Sequence, residues 1–198
     1  MTARLAHAPH APRNEPALLV PRPRHGPPVA LVSQPEGLLQ IHTAPHRGSF
    51  STVLSQALRA AGLGSRVLVC QLLKGGVDQG VVEGGQMLSG RLRWMRPAIP
   101  LCLEVAADQL AGEEAKQICD AIREVWSDSR RQMLEGRLDQ LVLDELGLAI
   151  DLGYLPLEEV LATLERRPPQ VDVIITGPAV PAALLALADQ ITELRRGH

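Results

Sequence analysis

The sequence predicts an α/β domain built on a mostly parallel sheet with helices on both faces. Three observations carry that prediction. Short apolar runs recur from Gly37 onward, each closed by small or polar residues. Longer segments with apolar residues at three- and four-residue spacing lie between them. One run, Arg66 to Leu73 (RVLVCQLL), is almost continuously apolar, as a strand buried on both faces must be.

The elements follow in order. Leu38 to Thr43 (LLQIHT) reads as the first strand, and Ser51 to Ala61 places Leu54, Ala57, Leu58 and Ala61 on one helical face before Gly62 stops it. Arg66 to Leu73 is the second strand, and the glycine-rich stretch Lys74 to Gly90 reads as a long loop. Glu113 to Leu134 carries Ile118, Ile122, Val125, Met133 and Leu134 along a polar segment, which predicts a long amphipathic helix with Trp126 near its buried face. Asp139 to Leu143 is a third strand, followed directly by Asp144 and Glu145. Pro156 opens a helix, because proline is favoured at the first helical position. Val171 to Thr176 is a fourth strand, Pro181 to Ala188 a helix, and Ile191 to Leu194 a last short strand. Strands alternating with helices of this length imply right-handed crossovers and a parallel sheet.

Residues 1–36 differ from the rest. They hold eight of the 16 prolines, three of the six histidines, four arginines and only two acids. Proline at that density removes backbone donors and biases the chain to extended conformations, so a disordered arm is expected, with the folded domain spanning 37–198. His7, His10 and His25 lack ligand-like spacing.

Composition excludes several function classes. Of 198 residues 45% are hydrophobic and 2% aromatic, so a core is well supplied while the rings needed to stack nucleic acid bases are missing. A formal net charge of −2 argues against neutralising many phosphates, so nucleic acid is not an expected partner. Cys70, Cys102 and Cys119 are widely spaced and odd in number, which predicts reduced thiols rather than a disulfide framework or a zinc site. No apolar run reaches the ~18 residues of a membrane span, and no secretory leader is read at the N-terminus. A soluble, cytoplasmic protein is expected.

In open parallel sheets ligands bind beyond the carboxyl ends of the strands, which makes the residues after each strand informative. After the first comes Thr43 to Thr52 (TAPHRGSFST), in the position of a phosphate-binding loop. After the second come Lys74 and Gly75, after the third Asp144 and Glu145, and after the fourth Thr176 and Gly177. A phosphate loop reads GxxxxGK[ST], because glycines expose backbone donors, lysine supplies charge and the hydroxyl binds the metal. Of that pattern only Gly48 remains. The apolar strand ending in Asp144 and Glu145 has the form of an acidic, magnesium-binding strand end.

Gly37 to Gly75, the LDEL of Leu143 to Leu146, GYLPLEEV from Gly153, VIITG from Val173 and LADQITELR from Leu187 together resemble the bacterial P-loop ATP:corrinoid adenosyltransferases of cobalamin biosynthesis. The resemblance implies a RecA-like P-loop fold, a homodimer, and transfer of adenosyl from ATP to the cobalt of a reduced corrinoid with release of triphosphate. It implies ATP and Mg2+ held by the first loop, with Thr43, Ala44, His46, Arg47, Gly48, Ser49, Ser51, Thr52 and Thr176 as nucleotide-site residues and Asp144 and Glu145 as the metal pair. The family loop reads close to GNGKGKT. Matched residue by residue, Ala44 and His46 stand at glycines, Arg47 and Ser49 at lysines, and Phe50 at the magnesium-binding threonine. The family's aromatic segment over the corrinoid falls on Pro97 to Val105, which has no ring, and its VIITGR arginine falls on Pro178. Two readings follow: an adenosyltransferase in which Arg47, Ser51 and the strand-end acids do the work, or a non-catalytic adaptor or regulator that keeps the fold.

Overall fold

The computed structural model describes residues 36–48, 50–76, 86–88 and 90–195. The proline-rich arm lies outside the described residues apart from Glu36, as does Ser49 of the first loop. Among the described residues seven strands form one sheet in the order β3-β4-β2-β5-β6-β1-β7. They are β1 (Leu39–Thr43), β2 (Val67–Gln71), β3 (Gln86–Leu88), β4 (Leu92–Met95), β5 (Gln140–Asp144), β6 (Asp172–Thr176) and β7 (Gln190–Glu193). Six are parallel, and the edge strand β3 runs antiparallel to β4. The helices are α1 (Ser51–Gly62), α2 (Gly112–Leu134), α3 (Leu146–Asp151), α4 (Leu157–Glu165) and α5 (Ala182–Leu187). The arrangement is that of a RecA-like P-loop fold.

The period of two in the strands decides which core each residue joins. Val67, Val69, Val142 and Ile174 face α1 and pack with Ala44, Phe50, Val53, Ala57 and Ala61. Their neighbours Leu68, Cys70, Leu141, Leu143, Val173 and Ile175 point the other way, into a larger core closed by Ile122, Val125 and Trp126 of α2, Leu146 of α3, Val160 of α4 and Leu184 of α5. Leu68, Leu141, Leu143 and Ile175 are within 1% of complete burial, each worth roughly 1.5–3 kcal/mol relative to exposure. Helices therefore cover both faces, as alternation in the sequence implies.

The stretch read as one loop from Lys74 to Gly90 contains β3, and two further elements were assigned nothing from sequence, the strand Leu92–Met95 and the helix α3 after Glu145. β4 escaped the apolar-run signal because it is short and carries Arg93, which forms an ion pair with buried Asp128 on α2 at 3.6 Å. α3 is a helix of 6 residues with no side-chain cap, entered from Glu145 in a left-handed conformation (φ 64°), so no conventional start signal precedes it.

Candidate functional site

The parallel register aligns the carboxyl ends of five strands. Gln71 pairs with Asp144, Asp144 with Thr176, Thr176 with His42, and His42 with Thr192. Register partners share a face, so these five polar side chains form one row on the side covered by α1. The row's centre is a hydrogen-bonded chain. Asp144 is 4% exposed; its Oδ1 accepts from Thr176 Oγ1 at 2.7 Å, and its Oδ2 accepts from Gln71 Nε2 at 2.8 Å and Lys74 Nζ at 2.6 Å. Gln71 in turn accepts at Oε1 from Trp94 Nε1 (3.0 Å) and Arg96 Nε (2.7 Å), and those two donors fix which way its amide points.

Glu145 is 1% exposed and belongs to a second pair. Arg47 donates from Nε to Oε1 at 2.9 Å and from Nη2 to Oε2 at 2.7 Å, a two-point grip that raises the guanidinium pKa above its ordinary value. The remaining amino group of Arg47, Nη1, donates to the carbonyl of Leu103. The backbone around Glu145 admits little change. Its N–H donates to the Thr176 carbonyl at 2.7 Å, and a Cβ on Gly177 (φ 118°) would meet Glu145 Cα at 3.0 Å.

The first loop takes the place expected of it, between β1 and α1. Ala44 and Phe50 are buried in the α1 core, whereas Pro45, His46 and Gly48 are on the solvent side. Phe50 packs with Val53 and Val142 and, together with Asp144 and Thr176, lines one small gap at the head of α1. Ser51 and Thr52, in the first turn of α1, are exposed. Thr43 is half-buried and its carbonyl accepts from the N–H of Leu194 at 2.8 Å. Of the residues singled out from sequence, Arg47 with Glu145 and Thr176 with Asp144 come together directly. His46, Gly48, Ser51 and Thr52 are turned to solvent. Sequence reasoning assigned no site role to Gln71, Lys74, Trp94 or Arg96; the only signal was the Lys-Gly pair at 74–75.

Beyond the end of β2, on the α2 side, lies a cleft of about 420 Å3, lined by Leu101, Leu103, Val105, Leu110, Ala115 and Ile118 among others. Its wall, residues 99–105, is anchored to the end of β2. Gly76 N–H donates to Ile99 O at 2.8 Å, Leu103 N–H donates to Leu73 O at 2.9 Å, and Tyr154 Oη–H donates to Val105 O at 2.8 Å. Gly75 is required there, because a Cβ would lie 2.3 Å from the Ile99 carbonyl oxygen. Among the described residues no three His, Cys, Asp or Glu side chains form a group that could hold a metal ion, and no helix is long and apolar enough to cross a membrane.

The family model for the ATP:corrinoid adenosyltransferases BtuR/CobO/CobP matches residues 35–198, which covers every element of the sheet. This chain belongs to that family. It is 32% identical over 169 residues to the corrinoid adenosyltransferase of Escherichia coli K12 and to the corrinoid adenosyltransferase CobA of Salmonella typhimurium, covering 84% of this chain and 81% of each relative. It is 26% identical over 168 residues to the corrinoid adenosyltransferase of Pseudomonas aeruginosa, covering 84% and 78%. The row on the α1 face and the cleft beyond β2 both lie at the end of the sheet where this fold class places its ligands.

Proposed function

We propose that this adenosyltransferase-family chain binds a corrinoid in the cleft beside Leu103 but does not transfer adenosyl to it from magnesium-ATP. The observation that carries this reading is Phe50, buried with Val53 and Val142 and lining one small gap with Asp144 and Thr176, in the position where the family places a metal-binding hydroxyl. The transfer breaks the bond between the ribose carbon and the triphosphate as cobalt attacks, so the leaving group carries several negative charges. Catalysis of such a step depends on cations aimed at those oxygens. Here Arg47 of the loop is held by Glu145, and Lys74 is held by Asp144.

The residues do not fit a magnesium ion held in the usual P-loop way. The hydroxyl is replaced by a ring, both oxygens of Glu145 are taken by Arg47, and Asp144 already accepts three hydrogen bonds. We therefore assign Asp144 and Glu145 to internal ion pairs rather than to a metal, and derive no step through one. Thr43, Ala44, His46, Gly48, Ser49, Ser51, Thr52 and Thr176 then describe the outline of a nucleotide site without its grip. Losing one charged lysine-to-phosphate contact costs ~1.5–3 kcal/mol, about ten- to a hundredfold in affinity. A homodimer located in the cytoplasm, with residues 1–36 as a separate arm, completes the proposal. This is the regulator or adaptor alternative in a specific form, with the corrinoid as the bound ligand.

The test uses the full chain. Calorimetry with magnesium-ATP is expected to give no heat at millimolar nucleotide, equilibrium dialysis with hydroxocobalamin is expected to show binding, and chemically reduced corrinoid with ATP is expected to give no adenosylated product in the optical assay. Product formed with turnover would overturn the reading. Ser49→Lys combined with Phe50→Thr is expected to gain nucleotide affinity, read by the same calorimetry. An unchanged double variant would show that the loss extends beyond the loop.

A further inference from the structure

Arg47 makes three hydrogen bonds, and their destinations matter more than their number. Two go to Glu145 at the acidic strand end, and the third goes to the Leu103 carbonyl in the cleft wall. Among the described residues the wall has three other anchors, at Ile99 O, Leu103 N–H and Val105 O, and these come from Gly76, Leu73 and Tyr154. Of the four, the Arg47 anchor alone comes from the phosphate loop. A side chain in that loop thus does two things that a bound anion with its cation would otherwise do there: it neutralises a carboxylate 1% exposed, and it joins the loop to its surroundings.

We propose that Arg47 is a positioning residue that holds the cleft wall in its binding shape without nucleotide, so that corrinoid affinity in this chain is independent of ATP. This inference rests on the functional reading above. The physical basis is preorganisation. A wall held before the ligand arrives costs less ordering on binding, and the planar guanidinium fork can satisfy Glu145 and Leu103 together. Lysine at 47 could keep the charge pair with Glu145 but has no fork with which to reach the Leu103 carbonyl at the same time.

The experiment measures hydroxocobalamin affinity by equilibrium dialysis for the full chain, with and without magnesium-ATP, and for Arg47→Gln and Arg47→Lys. The wild type is expected to show the same affinity in both conditions. Arg47→Gln is expected to weaken it about tenfold, the scale of one charge-assisted hydrogen bond. Arg47→Lys is expected to fall between. In the absence of any corrinoid, amide exchange across 99–105 should quicken in Arg47→Gln while the strands β5 and β6 stay protected, a readout that general destabilisation would not confine to the wall. A wild type whose affinity rises tenfold with magnesium-ATP overturns the inference, and so does an Arg47→Gln variant with unchanged affinity and unchanged exchange. If Arg47→Gln does not fold, Arg47→Lys decides in its place: weakened affinity with faster exchange across 99–105 supports the inference, and wild-type values in both overturn it. A wild type that binds no corrinoid overturns the functional reading and this inference together; bound corrinoid with indifferent variants overturns the inference alone.

Discussion

His42 ends the hydrogen-bonded part of the polar row, and its Nε2 is buried without a partner, unlike the side chains of Thr176, Asp144 and Gln71 beside it. Burial holds its pKa below the ordinary 6.5. The direction of the pH effect follows. In the window between the lowered folded value and 6.5 the unfolded chain binds more protons than the folded one, so stability rises with pH across it and is lost as pH falls. The urea midpoint is expected to drop through that window, and His42→Phe, which keeps an aromatic of similar size, should flatten the dependence. An equally steep profile in the variant would assign the effect to other groups. The same row shows what single residues reveal before a structure is known. Asp144 and Thr176 were legible because they end apolar runs. Gln71 was not, because its importance lies in a register that joins four strands distant in sequence. Phe50 was legible only by matching the loop to a pattern; the burial of its ring with Val53 and Val142 is a fact of packing.

Elements were legible in proportion to how completely both their faces are buried. β2, β5 and β6 are buried along nearly their whole length, so their runs are almost continuously apolar and mark them within a residue or two, while β1 alternates, with Leu39 and Ile41 buried. β4 has an arginine where a run would need a leucine, and α3 starts from a left-handed glutamate; both depend on partners elsewhere in the chain, Asp128 and Thr176. The junction between β2 and the 99–105 wall is of the same kind. Gly75 looks like a loop glycine, yet the wall approaches too closely for any side chain. Gly75→Ala is therefore expected to force the wall away from β2, with destabilisation of ~1–3 kcal/mol in chemical unfolding, the range for overpacking a fitted site. Corrinoid binding should weaken in the same variant. A variant as stable as the wild type would mean that the wall yields freely, which also removes the basis for holding it with Arg47.

At the scale of the whole molecule, the site sits on a single continuous sheet rather than in a detachable lobe. The loop, the acidic strand end and the cleft wall are joined to strands whose side chains form both cores. A ligand that binds only the folded state should then stabilise the entire domain, by RT ln(1 + [L]/Kd), or ~2.7 kcal/mol at a concentration a hundred times Kd. Two ligands offer a contrast. Hydroxocobalamin is expected to raise the thermal midpoint progressively with concentration, whereas magnesium-ATP is expected to leave it in place, because both strand-end carboxylates already have cations of the chain's own. Charge screening provides a control: added salt should affect the exposed Arg66–Asp139 pair far more than Arg47–Glu145, whose acid is 1% exposed. A midpoint that climbs with magnesium-ATP but not with magnesium chloride would mean that nucleotide displaces Arg47 from Glu145. The chain would then be a nucleotide-binding adenosyltransferase with an unusual loop, and its internal ion pairs a resting state that ATP opens.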